Sequence, residues 1–206
     1  MGTLADRLAA RDEERFVGRE RELRFFDDLL VDEPAANVVL VHGPGGIGKS
    51  TLLREVSRRA ARRGWRPRLV EGRELQPAPG ELERALEGVT GDERPLVVFD
   101  TYERMTAVGG WLRRRLLPEM PAGSLVVLSG RRPPEAEWFQ GGWERVVVEL
   151  EVGPFADADA RRLAQVHGVA DDEAVARLIE WAEGSPLALT LGADAARDGG
   201  WRPEWL

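Results

Sequence analysis

Apolar and polar positions along the chain follow two alternating rhythms. Short unbroken apolar runs occur at 37–42 (NVVLVH), 96–100 (LVVFD), 125–129 (LVVLS) and 146–150 (VVVEL). All four predict strands, and the continuous runs at 96–100 and 125–129 predict strands buried on both faces, as in a parallel sheet. Residues 68–71 predict a further strand, second in chain order. Between the strands the apolar residues recur with helical period. Leu52, Leu53, Val56 and Ala60 share one face of a predicted helix at 48–63. Arg58, Arg59, Arg62 and Arg63 crowd its last turns, where they complement the negative end of the helix dipole. Residues 72–80, with two prolines, read as a loop. Strands alternating with helices imply a parallel α/β sheet.

After Gly153-Pro154 the rhythm changes. Residues 157–167, 171–183 and 186–197 predict three helices with no strand signal between them. The chain is therefore expected to divide into an N-terminal helical extension (1–15), an α/β core of five strands (16–153) and a small helical lid (154–206). Gly-Gly-Trp recurs at 109–111, 141–143 and 199–201. The unequal spacings predict turns beside buried tryptophans, not a structural repeat.

Composition excludes several function classes. The chain has 206 residues, 43% of them apolar and 32% charged, as in an ordinary soluble domain. A net charge of −7 and the lack of a broad basic stretch argue against direct nucleic-acid binding. Cysteine is absent, which removes disulfides, thiolate metal sites and a cysteine nucleophile. His42 and His167 are too far apart in sequence to form a metal-spaced pair. Residues 1–15 lack the apolar core of a signal peptide, and no stretch approaches the roughly 18 apolar residues of a membrane span. A cytoplasmic location and no membrane partner are expected.

Lys49 is the sole lysine among 29 lysine and arginine residues. It sits in Gly43-Pro-Gly-Gly-Ile-Gly-Lys49-Ser50-Thr51, which fits the phosphate-binding loop G-x-x-x-x-G-K-[ST]. A chain that otherwise uses arginine keeps lysine here because a compact ammonium fits inside a loop wrapped around phosphates, whereas a planar guanidinium does not. Strand, loop and helix follow in the order such a loop requires. Gly43, Gly45, Gly46, Ile47, Gly48, Lys49, Ser50 and Thr51 are thus the predicted nucleotide-binding residues, with backbone N–H groups and the helix N-terminus facing the phosphates. Lys49 would bridge the β- and γ-phosphates, and Ser50 would ligate Mg²⁺. The alternative is a glycine-rich turn that binds nothing.

Asp100 closes the 96–100 strand and is the predicted second Mg²⁺ ligand. Thr101 follows it, so the nearest acid able to orient a water is Glu103; a solvated loop carboxylate is the equal alternative. Arg131, at the tip of the 125–129 strand, would sense the γ-phosphate, with Arg132 as its substitute. Arg113-Arg114-Arg115 reads as a solvated helix face, or else as a finger toward a neighbouring subunit. Guanine-specific loops need a second lysine, so the single-lysine composition points to adenine.

These motifs together resemble the STAND class of P-loop NTPases. Phe16-Val17-Gly18-Arg19-Glu20 is similar to that class's hhGRE motif, residues 96–100 to its Walker B strand and 128–131 to its sensor 1 strand. Residues 150–155 resemble the entry to its helical lid, and 183–189 (EGSPLAL) its GxP motif. The resemblance implies that Val17 and Arg19 lie along the adenine and that Pro186 closes over it from the lid. It also implies an ATP/ADP switch with slow Mg²⁺-dependent hydrolysis and possible homo-oligomerisation when active. Thr101 departs from the second acid usual after the Walker B aspartate. The class's winged-helix and sensor or effector domains are expected in a longer parent protein, a naturally short ATPase being the alternative. A dedicated phosphotransferase or motor ATPase and a nucleic-acid-loading ATPase are the competing functional classes.

Overall fold

The computed structural model describes residues 3–197. The Gly-Gly-Trp at 199–201 lies outside them. Five strands, β1 (Val38–His42), β2 (Arg66–Glu71), β3 (Pro95–Asp100), β4 (Leu125–Gly130) and β5 (Val147–Glu151), form one parallel sheet in the order β2-β3-β4-β1-β5. The helices are α1 (Leu4–Glu14), α2 (Glu20–Leu29), α3 (Lys49–Arg62), α4 (Pro79–Ala85), α5 (Gly109–Trp111), α6 (Asp157–Val166), α7 (Asp172–Ala182) and α8 (Pro186–Arg197).

Every residue of β1, β3 and β4 is buried, which explains their unbroken apolar runs. Successive side chains alternate between two cores. Val39, Val41, Val98 and Val127 pack with Phe26 of α2 and Leu52, Leu53 and Val56 of α3. Val38, Leu40, Phe99 and Leu128 face the other way, onto Leu82, Met105, Leu112 and Trp138.

Several expectations need correction. β2 begins at Arg66 and buries only Val70, because it is an edge strand. The loop expected at 72–80 ends early: Pro79 opens α4, where its fixed φ suits a helix start. This helix escaped the pattern because Leu82 is its one buried residue. Trp111 and Trp143 are only half-buried, and Gly109–Trp111 is helical, not a turn. Among the described residues the fully buried tryptophans are Trp65 and Trp138. Arg114 and Arg115 are exposed, but the Arg113 guanidinium lies 4.7 Å from the centre of the Trp138 ring.

The three C-terminal helices enclose their own core of Leu163, Ala164, Val175, Leu178, Leu189 and Ala193. Asp171 caps α7 by accepting the Ala174 N–H at 2.7 Å. Val17, from the segment ahead of α2, belongs to this cluster and not to the sheet. The N-terminal segment therefore bridges the helices and the sheet.

Candidate functional site

The loop between β1 and α3 is shaped by glycine. Gly43 has φ 154°, and a Cβ there would lie 2.4 Å from the Val152 carbonyl oxygen. Gly46 (φ 78°) and Gly48 (φ 93°) occupy left-handed conformations that turn the chain into the helix. The Lys49 ammonium reaches back across the loop and donates to the Gly43 carbonyl at 2.6 Å and the Pro44 carbonyl at 2.9 Å. Burial lowers its pKa, Glu103 and Asp100 oppose that shift, and Arg131 adds to it. Ile47 turns its side chain into the sheet core, so only its backbone is available to a ligand. Ser50 is half-buried and Thr51 exposed on the first turn of α3.

Strand tips bring the charged residues to this loop. Asp100 ends β3 at 5% exposure, and its Oδ1 accepts the Thr101 N–H at 2.9 Å. Thr101 holds φ 60°, a left-handed conformation uncommon for a β-branched residue. β4 stands between β1 and β3, so Asp100 approaches the loop from two strands away. Glu103 Oε1 lies 3.4 Å from Arg131 Nε, and Arg131 passes 3.6 Å from where a Gly45 Cβ would be. Glu103 Oε2 and Ser129 Oγ are buried without a hydrogen-bond partner. Arg132, the substitute for Arg131, lines an adjoining cavity instead.

The opposite side of the site is made by the helices. The Leu187 N–H donates to the Gly46 carbonyl at 3.2 Å. Pro186 Cγ lies 3.7 Å from a Cβ placed on Gly48. Gly184 has φ 74°, and a Cβ there would lie 2.7 Å from Pro154. Its carbonyl accepts the Phe155 N–H at 2.8 Å, which sets the angle of α8. Arg19 borders the cavity and also makes a set of protein contacts. Its buried guanidinium donates to the Ile47 carbonyl (2.6 Å), the Gly153 carbonyl (2.8 Å) and Glu22 (3.0 Å), and lies 4.6 Å from the centre of the Phe155 ring. Those contacts commit Arg19 to joining the loop to the segment that enters α6.

One cavity of about 450 Å³ connects these parts. Lys49, Asp100, Glu103 and Arg131 form a charged group in its lining, and Ser50, Val17, Pro186, Gly45, Gly46, Gly48, Thr51 and Arg19 also border it. Gly43 and Ile47 do not border it. Sequence reasoning missed Ser129, Phe155, His167 and Thr190, which also line it. Phe155 lay within the segment likened to the lid entry and Ser129 within the segment likened to the sensor 1 strand; His167 and Thr190 carried no signal.

The donor set suits a magnesium nucleotide. Among the described residues no group of three or more His, Asp and Glu side chains is placed to hold a metal alone. A serine hydroxyl and one carboxylate suit Mg²⁺, which binds few protein ligands and completes its shell with phosphate and water. The unpartnered Glu103 and Ser129 oxygens beside them are acceptor sites that a hydrated ligand would satisfy.

Residues 15–79 match the AAA ATPase domain family. Among curated proteins, none matches the chain. Solved structures do. A RuvB variant of Thermotoga maritima superposes with a TM-score of 0.63 at 16% identity, covering 89% of this chain and 63% of that one. The Aeropyrum pernix ORC1 protein, solved in complex with DNA, gives 0.64 at 20% identity, with 89% and 61% covered. The fold is that of a P-loop NTPase. The chain spans somewhat under two thirds of the length of either neighbour. Among the described residues no helix is long and apolar enough to cross a membrane.

Proposed function

We propose that the chain is the adenine-nucleotide switch module of a STAND-like regulator, holding ATP or ADP between sheet and lid. One observation carries this reading: the lid is seated directly on the phosphate loop, through Leu187 on Gly46 and Pro186 beside Gly48. Whatever the loop binds is therefore felt by α8 with nothing between them. A nucleotide shifts the lid only by its differential affinity for the two lid positions.

In this reading the loop N–H groups, the start of α3 and Lys49 bind the β- and γ-phosphates. Ser50 and Asp100 hold Mg²⁺, which when bound neutralises charge on those phosphates. Glu103 orients the attacking water, and Arg131 neutralises charge developing on the γ-phosphate. Thr101 in place of a second acid, and the engagement of Glu103 by Arg131, support slow turnover. A cytoplasmic location, winged-helix and sensor or effector domains in a longer parent protein, and a homo-oligomer in the activated state belong to the same reading.

Heat release of co-purified nucleotide, followed by chromatography, is the direct test. ADP or ATP is expected, with turnover below about one per second. An empty protein with no adenine-nucleotide affinity better than millimolar overturns the proposal. Glu103→Gln should keep binding and abolish residual turnover; unchanged turnover removes Glu103 from its role.

A second reading is a dedicated AAA-type ATPase acting with DNA. The match over 15–79 and the ORC1 neighbour favour it. The net charge of −7 counts against it, as does the pairing of α3 arginines with acids: Arg59 with Glu55 and Asp27, Arg62 with Glu13, Arg63 with Asp27. DNA-stimulated turnover above roughly one per second would favour this second reading.

A further inference from the structure

We propose that His167 reads the edge of the nucleotide base through Nε2, so that the lid, and not the phosphate loop, selects adenine over guanine. The proposal rests on the reading that the cavity holds a nucleotide. His167 caps the C-terminal end of α6, four residues after Leu163, and both line the cavity. Its side chain is only 6% exposed. Nδ1 lies 3.4 Å from Asp194 Oδ1, and Asp194 is in turn 3.3 Å from an Arg197 nitrogen. A carboxylate paired with a cation accepts hydrogen bonds and does not donate them, so the neutral imidazole that faces it carries its proton on Nδ1. Nε2 is then a lone-pair acceptor. Among the described residues it has no hydrogen-bond partner, and it is not sealed from solvent.

The position fits the base rather than the phosphates. Lys49, Asp100 and Arg131 gather at the phosphate end. His167 shares the cavity with Val17, Phe155, Leu163 and Pro186, whose apolar surfaces suit the faces of a purine. A base held by its faces is identified by its edge. Adenine presents a 6-amino donor, which an Nε2 acceptor satisfies; guanine presents an O6 acceptor there, lone pair against lone pair. Thr190, a cavity-lining hydroxyl on α8, can donate or accept and so discriminates less. Asp12 and Arg15 also border the cavity but are exposed.

Equilibrium binding of ATP, GTP, purine riboside triphosphate and inorganic tripolyphosphate tests this in wild type, His167→Phe and Asp194→Ala. Purine riboside lacks only the 6-amino group. Wild type should prefer ATP to purine riboside triphosphate by roughly three- to tenfold, the value of one hydrogen bond. His167→Phe should erase that preference and leave tripolyphosphate binding unchanged. Asp194→Ala, on a half-exposed side chain, should narrow the preference by freeing the tautomer, and it keeps the test alive if His167→Phe does not fold. An undiminished preference in either folded variant overturns the role of His167. Tripolyphosphate binding as tight as ATP binding in wild type overturns base reading and leaves the phosphate loop standing. No binding of any of the four overturns the proposed function as well.

Discussion

The two ends of the cavity are built on different principles. The phosphate end centres on the contiguous loop 43–51, whose geometry comes from backbone: left-handed glycines, a helix start and one lysine, with Asp100, Glu103 and Arg131 added from strand ends. The lid end is assembled from Val17, Arg19, Phe155, His167 and Pro186, which lie far apart in the chain and act through side-chain contacts. A site made of backbone is robust to most side-chain change but brittle at its few glycines and its lysine. A site made of scattered side chains can be tuned residue by residue. The phosphate end should therefore set whether a nucleotide binds, and the lid end which base is held and how the lid responds.

Lys49 gives the sharpest test of that division. Lys49→Arg should weaken ATP binding by at least about a hundredfold, close to Lys49→Ala, because two charge-assisted bonds at 2.6 and 2.9 Å leave no room for a planar fork. Titration calorimetry within a few-fold of wild type would refute the steric argument.

Arg19 comes next, since it joins the two ends. Arg19→Ala should weaken ATP and tripolyphosphate alike, by roughly tenfold, because the Ile47 and Gly153 carbonyls lose a buried charged donor. Loss confined to ATP would place Arg19 along the adenine.

At the lid hinge, Gly184→Ala should lower stability by about 1–3 kcal/mol, combining left-handed strain with a 2.7 Å approach to Pro154. A chemical-denaturation curve that overlays wild type would show the hinge to be compliant.

The smallest effect concerns Asp159, whose carboxyl is pushed above the ordinary carboxylate value chiefly by burial, with Glu20 adding to the shift. A raised carboxylate pKa in the folded state favours the protonated form. Its stabilising contribution is therefore present at acid pH and is lost as pH rises through the folded value. Asp159→Asn should raise Tm at pH 7 by about a degree, and the difference should shrink toward pH 4. A constant difference across that range would assign the effect to something other than protonation.

Much of the fold was legible. Buried strands such as 96–100 and 125–129 announced themselves as unbroken apolar runs, because a strand covered on both faces has no polar side to display. Edge strand β2 and the short α4 were blurred, since each buries a single residue and periodicity needs several. In the site, Lys49 and its glycines were legible because a phosphate cradle is local in sequence. Asp100, Glu103 and Arg131 followed from their places at or near strand ends. His167 and Thr190 were not, because nothing in their neighbours marks them.

By itself the sequence determined the parallel α/β core, the phosphate loop and the change to helices after Gly153. These depend on short-range rules of burial, turn and helix start. Only the tertiary structure decided that β4 separates Asp100 from the loop, that Arg19 bonds the Ile47 and Gly153 carbonyls, and that His167 lines the cavity. Each of those facts is a meeting of residues many positions apart. Strand order, helix docking angle and the competition among buried donors for a few carbonyls fix such meetings, and no local pattern encodes them.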